Sequence, residues 1–409
     1  MKHRIVVLGA GYAGAYTAGN LARRLSPADT EITVVNAVPE FVQRLRLHRL
    51  AAGGEIETPQ LADVFAGTGI RLRVARITAV APGNRVVAVA DADGGGLLPY
   101  DTLVYALGSR VAYRDVPGVA EHAFHVTARP AALRLRDRLD SLDTRGAGGT
   151  VVVVGDGLTG IETATEIAEA RTGLSVTLVA RGELGARLSA GARAHLRRAC
   201  DRMGITVREH TVVAAVEATR VRCTDGTALA SDATVWTGGF AVDPLAAAAG
   251  LEVTDDGRIV VDRTMRSVSH PDVYAVGDSV RALGDHGRPL PMSCGSAGYT
   301  GKQAIDAIVA HLTGREVAHT KLVYTFNHIS LGRRDGILQP VDDEARAKPA
   351  YVAGRTAARV KACIVRGSLW GTLHPTYGVP RRRRRLAAAP GTAPDPSWDA
   401  TGENPSLAA

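Results

Sequence analysis

The hydrophobic residues of this chain are grouped in short apolar runs that alternate with segments of helical periodicity. Two runs, at residues 5–8 and 151–154, each lead directly into a glycine-rich turn and then into a segment rich in small residues. A short apolar run between turn residues is typical of a strand that is buried on both faces of a parallel sheet. The pattern therefore predicts an α/β fold with two βαβ units in tandem.

The first unit is predicted to contain a helix over residues 12–25 and a second strand over residues 31–35. Two stretches of alternating apolar residues, at 70–80 and 85–90, are predicted to form a hairpin-like β insert. A further buried strand is predicted within residues 100–108, and it ends on a glycine. We therefore expect parallel strands with a small antiparallel insert.

The same order of elements repeats in the second unit. A helix is predicted at 161–170, a strand at 175–180, and a strand at 233–237 that ends on two glycines. A later strand, at 273–276, is followed by a glycine and a carboxylate. This repetition indicates that the second unit is inserted into the first.

Both glycine-rich turns have the spacing Gly-x-Gly-x-x-Gly, over residues 9–14 and 155–160. The first glycine of this motif makes a tight turn, the second lets the backbone approach a pyrophosphate, and the third lets helix and strand pack closely. The N-terminus of the following helix offers unpaired N–H groups to the phosphates. Two such turns, each after a strand, predict two bound dinucleotides and electron transfer between them.

The chain has 409 residues, with 49 basic and 41 acidic side chains and a net charge of +8. Nine of the basic side chains lie in residues 351–385, a segment without acids, so the rest of the chain is nearly neutral. Such a segment suits anionic lipid headgroups, but it is as typical of a solvated basic end. Aromatic residues are not interleaved with the arginines, so no nucleic-acid partner is predicted.

The four cysteines form no Cys-x-x-Cys pair, which argues against a redox disulfide and favours a reducing, cytoplasmic location. No apolar run approaches the roughly 18 residues that a membrane span needs. The first strand begins within five residues of Met1, so no signal peptide is predicted. No metal site is predicted either.

The two glycine turns, the strands that end at Gly108 and Gly239, and the segment from Gly257 to Asp278 resemble the two-dinucleotide-binding-domain flavoproteins. Within that superfamily, the chain looks most like the type II NADH dehydrogenases and the actinobacterial FAD-dependent oxidoreductases. The resemblance covers about residues 3–370. It implies tandem Rossmann-like domains for FAD and NAD(P)H, and an FAD-dependent oxidoreductase that passes electrons from NAD(P)H to a quinone or another organic acceptor.

The order of the predicted elements divides the chain into five parts, and the oligomeric state is left open, a homodimer included. Residues from 386 onward show no hydrophobic periodicity and are predicted to be disordered. The predicted parts are an FAD-binding domain at 1–112, an inserted NAD(P)H-binding domain at 113–262, the second part of the FAD-binding domain at 263–325, a mixed, basic C-terminal segment at 326–385, and a tail at 386–409.

FAD is expected on the first glycine turn. The resemblance implies that Asp278 bonds a ribityl hydroxyl or the pyrophosphate region, that Arg44 pairs with the pyrophosphate, and that a helix beginning near Ala297 directs its N-terminus at the flavin. Asn36 stands where an acid usually meets the adenosine ribose, and it can still bond the ribose hydroxyls. The residues implied to bind FAD are Gly9, Gly11, Tyr12, Ala13, Gly14, Asn36, Arg44, Ile77, Gly108, Gly277, Asp278, Ala297 and Lys361.

NAD(P)H is expected on the second glycine turn. Glu162 matches a carboxylate that orients the nicotinamide or relays a proton in this family, and it is the predicted catalytic residue; the helix dipole alone also favours an acid there. Ala180 and Arg181 end the strand where an acid would chelate the NADH ribose, which favours NADPH but leaves both coenzymes open. The residues implied to bind the coenzyme are Gly155, Gly157, Leu158, Thr159, Gly160, Arg181 and Gly239.

The electron acceptor is less well defined. Type II NADH dehydrogenases carry an Ala-Gln pair and a further Gln near flavin and quinone, whereas here Ala297 is followed by Gly298, and Lys302 stands at the second glutamine. Three hypotheses stay open: a quinone or other organic acceptor, a carrier reductase for an iron–sulfur protein, or a tailoring flavoenzyme with little use for the nicotinamide site. The roles of Cys294 and His48 are left open: each residue lies beside the flavin or packs in the protein interior.

Membrane attachment is also left open. In type II enzymes, C-terminal amphipathic helices lie on the membrane, and residues 351–370 of this chain carry apolar positions among basic ones. The apolar face is broken by Gly367, Gly371 and Pro375, so weak or absent attachment is expected as readily as firm attachment to the inner face of the cell membrane.

Overall fold

The computed structural model describes residues 1–92, 94–143, 148–378 and 383–387. The strands of these residues are β1 (His3–Leu8), β2 (Thr30–Asn36), β3 (Ile70–Val74), β4 (Arg76–Ala81), β5 (Val86–Ala90), β6 (Gly96–Pro99), β7 (Thr102–Tyr105), β8 (Arg110–Val111), β9 (Ala123–Phe124), β10 (Gly149–Val154), β11 (Leu174–Val179), β12 (Thr206–Arg208), β13 (Val213–Val216), β14 (Arg220–Cys223), β15 (Ala228–Ala230), β16 (Ala233–Trp236), β17 (Phe240–Ala241), β18 (Ile259–Val260), β19 (Val273–Ala275), β20 (Val280–Arg281), β21 (Phe326–Leu331), β22 (Asp335–Pro340) and β23 (Val352–Ala353). The helices are α1 (Tyr12–Arg24), α2 (Leu47–Ala51), α3 (Leu61–Phe65), α4 (Val119–His122), α5 (Arg129–Asp143), α6 (Leu158–Ala170), α7 (Ala190–Arg202), α8 (Leu245–Ala248), α9 (Cys294–Thr313) and α10 (Gly354–Leu373).

The first parallel sheet is built on the apolar runs of the first unit. Its strand order is β19-β7-β1-β2-β3, and every neighbouring pair is parallel. Ile5 and Leu8 of β1 are fully buried in the same core as Ala304 and Ile308 of α9. Burial on both faces explains why the strands of this sheet appear in the sequence as continuous apolar runs.

The second parallel sheet repeats this arrangement, with the order β12-β11-β10-β16-β9. β10 and β11 are paired along their whole length, so both end beside the second glycine turn. Leu139 of α5, Ile167 of α6 and Leu196 of α7 are buried in the core of this sheet. The predicted tandem α/β fold is therefore confirmed.

One sequence prediction about the β insert is wrong. The stretch at 70–80 is not one strand, because β3 joins the first parallel sheet beside β2, while β4 pairs antiparallel with β5 in a separate sheet that also contains β6. The apolar residues alternate at positions 70, 72 and 74 and then at 75, 77 and 79, so the phase of the alternation changes at Ala75, where the chain passes from one sheet to the other.

The C-terminal segment forms a small antiparallel sheet, β21-β22-β23, followed by α10. Ile329 and Leu331 of β21 are buried in the core of the second sheet. The helix α10 continues through Gly367 and Gly371 and ends before Pro375, although each glycine disfavours a helix interior by about 1 kcal/mol relative to alanine. Within the described residues, no helix has the length and apolar character needed to cross a membrane.

The last described residues lie along the first unit. The backbone N–H of Ser26 donates to the carbonyl of Arg384 at 2.8 Å, and Leu386 packs against the first core. The backbone N–H of Ala387 donates to Leu312 at 3.0 Å. The first two residues of the predicted disordered tail are thus held on the fold, and residues 388–409 lie outside the described residues.

Candidate cofactor-binding and active site

The first glycine turn has the geometry that its motif requires. Gly9 has a φ of +95°, and a Cβ there would lie 2.6 Å from the carbonyl oxygen of Ala106. A Cβ at Gly14 would overlap the carbonyl oxygen of Gly9, whereas one at Gly11 would meet no atom within 4 Å. Gly9 and Gly14 therefore close the turn, and Gly11 leaves open space beside the backbone.

The second glycine turn reproduces this geometry. Gly155 has a φ of +116°, and a Cβ there would lie 2.7 Å from the carbonyl oxygen of Thr237. A Cβ at Gly160 would overlap the carbonyl oxygen of Gly155, and one at Gly157 would meet no atom within 4 Å. Both turns thus have room for a pyrophosphate at the middle glycine.

Each turn leads into a helix with an open N-terminus. Gly11 and Gly157 are the N-cap residues of α1 and α6, with no side-chain cap and no acid in the first turn. The backbone N–H groups and the helix dipole therefore favour an anion at both places, so the turns fit the two dinucleotides. The first helical residues are Tyr12 and Ala13 in α1, and Leu158 and Thr159 in α6.

Two polar side chains lie at the first turn. Asn36 Oδ1 accepts a hydrogen bond from the backbone N–H of Ala10 at 2.9 Å, and its Nδ2 donates to the carbonyl of Val38 at 2.8 Å. Asn36 therefore holds the shape of the turn. The Tyr12 hydroxyl is buried without a hydrogen-bond partner, and burial raises its pKa. An orphaned buried hydroxyl beside an open turn fits a site that binds a polar ligand.

The structure brings Arg44, Gly108 and Asp278 together through Ser109, a residue that no sequence motif predicts. Arg44 donates to the carbonyl and to Oγ of Ser109, at 2.6 and 2.9 Å. Ser109 Oγ in turn donates to Asp278 Oδ2 at 2.7 Å. The Arg44 guanidinium also lies 5.3 Å from the ring centroid of Phe240. We call Arg44, Ser109 and Asp278 the Arg–Ser–Asp network.

Gly108 and Gly277 are the sequence neighbours of Ser109 and Asp278 in this network, and both form backbone hydrogen bonds there. The backbone N–H of Gly108 donates to Ser279 Oγ at 3.0 Å. The backbone N–H of Gly277 donates to Thr300 Oγ1 of α9 at 3.1 Å, and a Cβ at Gly277 would lie 3.1 Å from Ala13 Cβ. The helix α9 therefore abuts the first glycine turn through Gly277.

The prediction that α9 begins near Ala297 is wrong by about one turn. The helix begins at Cys294, because the Ser293 side chain accepts a hydrogen bond from the backbone N–H of Ser296 at 3.2 Å and caps the helix. Ala297 is buried within the first two turns. Burial and the nearby Asp278 carboxylate raise the pKa of the Cys294 thiol to about 12, so this cysteine stays protonated at neutral pH.

The predicted catalytic residue, Glu162, is paired with the predicted flavin neighbour, Lys361. Glu162 Oε1 and Lys361 Nζ form an ion pair whose side chains are 12% and 11% exposed. The backbone N–H of Ser330 donates to the same Oε1 at 2.8 Å, and Lys361 Nζ donates to the carbonyl of His328 at 3.1 Å. The strand β21 therefore joins α6 to α10 at a buried charge pair.

Burial determines the charge state around this pair. Burial alone lowers the pKa of Lys361, while the Glu162 carboxylate in contact with it favours the charged form. The pKa of His48 falls to about 3, first because its ring is buried and then because Lys361, Arg49 and Arg46 are nearby. His48 is thus a neutral imidazole on α2.

Three other predicted residues lie elsewhere on the fold. Ile77 is half-buried on β4 against the first core, and Arg181 is exposed after β11. Gly239 has a φ of +133°, and the Arg114 guanidinium covers it because Arg114 Nε donates to the carbonyl of Gly238. Arg114, Ser109 and Ser330 have no motif around them, so nothing in the sequence singles them out.

Two parallel sheets, each with an open glycine turn, define the class of two-dinucleotide oxidoreductases. A family model described as pyridine nucleotide-disulphide oxidoreductase matches residues 3–301, and the chain belongs to this family. Its four cysteines, all within the described residues, are free, so the disulfide of the family name has no counterpart here.

Two curated relatives are similar over much of the chain. An NADH dehydrogenase-like protein of Mycobacterium tuberculosis is 30% identical and covers 96% of this chain and 100% of its own length. A type II NADH:quinone oxidoreductase of the same species is 26% identical and covers 68% of this chain and 66% of its own length. These matches support an NADH dehydrogenase-like flavoprotein.

Two solved structures share the fold. The sulfide:quinone oxidoreductase of Aquifex aeolicus has a TM-score of 0.78 at 18% identity, over 91% of this chain and 92% of that chain. NDH2 of Plasmodium falciparum, solved in complex with NADH, has a TM-score of 0.76 at 15% identity, over 94% of this chain and 100% of that chain. At these identities the comparison establishes the fold.

Proposed function

We propose that this chain is an FAD-dependent NAD(P)H dehydrogenase that passes electrons to a quinone or another small organic acceptor. The observation that carries this proposal is the pair of equivalent glycine turns, one on each parallel sheet, with open space at Gly11 and Gly157. Relatives named for NADH dehydrogenation and quinone reduction support the same assignment.

In this proposal FAD binds at the first turn and NAD(P)H at the second. The N–H groups at the N-terminus of α1 bind the FAD pyrophosphate, and the Arg–Ser–Asp network supplies charged partners of both signs for its polar groups. Bound FAD supplies a redox centre that accepts two electrons and releases them to an acceptor. The N-terminus of α6 binds the coenzyme pyrophosphate.

Glu162 and Lys361 are proposed to set the charge at the active site. The Glu162 carboxylate and the His328 carbonyl hold the Lys361 ammonium in a position that is largely closed to water. A fixed cation with little access to water stabilises negative charge that develops nearby more strongly than an exposed one does. Neutral His48 adds no competing charge.

Anaerobic titration tests the proposed function directly. We expect the purified protein to carry FAD, and NADH or NADPH to bleach its visible absorbance without oxygen. Addition of a water-soluble quinone should then restore the absorbance. Absence of bleaching with both coenzymes contradicts the proposal, and reoxidation by a ferredoxin but not by quinones assigns the chain to the carrier reductases.

The helix α10 is proposed to contact an anionic membrane surface. Val360, Ile364 and Trp370 are 41%, 42% and 46% exposed, and the exposed Arg359 and Arg366 lie on the same helix. Apolar and basic side chains on one helix are typical of an interfacial contact. We expect the protein to sediment with vesicles that contain phosphatidylglycerol and to be released by salt.

A variant of this helix tests the contact. Ile364→Ser combined with Trp370→Ser should weaken vesicle binding several-fold, because serine buries less apolar area in the interface than isoleucine or tryptophan does. Leu97→Ser is the matched control, because Leu97 is 70% exposed but lies on β6, far along the chain from α10. Equal binding of both variants, or equal binding to phosphatidylcholine vesicles, contradicts the proposal.

A further inference from the structure

Two exposed arginines lie where β11 and β12 end. Arg208 is the last residue of β12 and is aligned with Val179, the last residue of β11, while Arg181 follows two residues after Val179. Both arginines are exposed, and neither side chain has a hydrogen bond or ion pair with another described residue. Because neighbouring strands are about 4.8 Å apart, the two side chains begin close together.

The carboxylates next to these arginines are occupied by other cations. Glu183 forms ion pairs with Arg193 and with Arg197 of α7, the second at 3.5 Å. Glu209 pairs with Arg197 at 2.6 Å and accepts a hydrogen bond from the backbone N–H of Leu184 at 2.6 Å. The neighbouring acids are thus paired with arginines of α7, and neither is paired with Arg181 or Arg208 among the described residues.

The residue that would chelate the hydroxyls of an NADH ribose is absent from this sheet edge. In a dinucleotide-binding sheet, the residue at the end of the second strand meets the adenosine ribose, and an acid there bonds the free 2′-hydroxyl. Here that residue is Ala180, which is fully buried and whose backbone N–H donates to the carbonyl of Arg208 at 2.8 Å. This hydrogen bond also fixes the backbone of Arg208 beside Arg181.

We propose that Arg181 and Arg208 together form a binding site for the 2′-phosphate of NADPH, which makes NADPH the preferred coenzyme over NADH. The inference rests on the proposed function, because it requires a nicotinamide coenzyme on the second glycine turn. A guanidinium binds phosphate oxygens through two parallel N–H donors, and two guanidinium groups at the ends of adjacent strands match the charge of a phosphate monoester. The sequence motif predicts only Arg181 as a phosphate ligand. Arg208 joins the proposed site because β12 pairs with β11.

Binding of oxidised coenzymes to the FAD-loaded protein tests this site without turnover. We expect calorimetry to show that NADP⁺ binds at least about tenfold (about 1.4 kcal/mol) more tightly than NAD⁺, because hydrogen bonds to charged groups are stronger than those between neutral groups. The fragments 2′,5′-ADP and 5′-AMP should differ by a similar factor. Higher salt should reduce the preference.

Single variants separate the contributions of the two arginines. Arg181→Gln and Arg208→Gln should each weaken NADP⁺ binding about tenfold and leave NAD⁺ binding nearly unchanged. Arg198→Gln is the matched control, because Arg198 is an exposed arginine on α7 of the same unit and should change neither affinity. Combining Ala180→Glu with Arg181→Gln should reverse the preference towards NAD⁺.

The outcomes distinguish this inference from the function on which it rests. Equal affinity for NADP⁺ and NAD⁺, or tighter binding of NAD⁺, overturns the phosphate site while the dehydrogenase assignment stands. An unchanged affinity in Arg208→Gln overturns the two-arginine site. A protein that carries FAD but binds neither coenzyme overturns the proposed function itself.

Discussion

Replacing Gly11 by valine is expected to yield a folded protein without FAD, whereas the same change at Gly157 should leave FAD bound and abolish coenzyme binding. Both glycines are N-caps with extended backbones, and a Cβ at either position meets no protein atom within 4 Å. The added side chain therefore costs the fold little and fills the space that a pyrophosphate needs. Because glycine is preferred to valine at an N-cap, a loss of less than about 1 kcal/mol of stability is expected from the cap itself.

Visible absorbance measures the FAD content of each variant, calorimetry measures coenzyme binding, and thermal unfolding shows that the fold is intact. Gly367→Ala is the control, because a Cβ at this exposed glycine of α10 also meets no atom within 4 Å, and both ligands should still bind. FAD retained by Gly11→Val, or lost selectively from Gly157→Val, would contradict the assignment of the two turns.

Lys361→Met is expected to destabilise the protein and to slow flavin reduction by the coenzyme. The substitution leaves the Glu162 carboxylate buried without its cation, and breaking a buried ion pair by removing one partner costs about 3–5 kcal/mol. Reduction should slow roughly 100-fold, the effect of removing one fixed electrostatic group from an active site. Urea unfolding and anaerobic stopped-flow absorbance measure the two effects.

A double variant separates these effects. Glu162→Gln combined with Lys361→Met removes both charges, so the free energy of unfolding should return most of the way to that of the native protein. Reduction should remain slow, because the cation is still missing. If the flavin of the double variant were reduced at the native rate, the ion pair would stabilise the fold and have no role in flavin reduction.

The two sheets and their glycine turns could be predicted because their signals are local in sequence. Each turn follows a buried apolar run within a few residues, and the required contacts of Gly9 and Gly155 involve strands of the same unit. The start of α9 could also have been recognised, since Ser293 is a favourable N-cap residue, but the glycines at 295 and 298 weakened the helical pattern.

The contacts between distant segments could not be predicted in this way. Ser109 Oγ reaches Asp278 across the inserted unit, and the Ser330 N–H reaches Glu162 from a different sheet. Arg208 belongs with Arg181 only because β12 lies beside β11. A single sequence contains periodicity and turn signals, but it does not show which distant segments contact each other after folding.

The ion pair between Glu162 and Lys361 also has a consequence for biogenesis. A ribosome makes both glycine turns, and all strands of both parallel sheets, well before it adds Lys361. A nascent chain can therefore form both nucleotide-binding folds while Glu162 still lacks its cation and β21 has not yet docked. With the role proposed for Lys361, the active site is complete only after the C-terminal segment has packed against the second sheet.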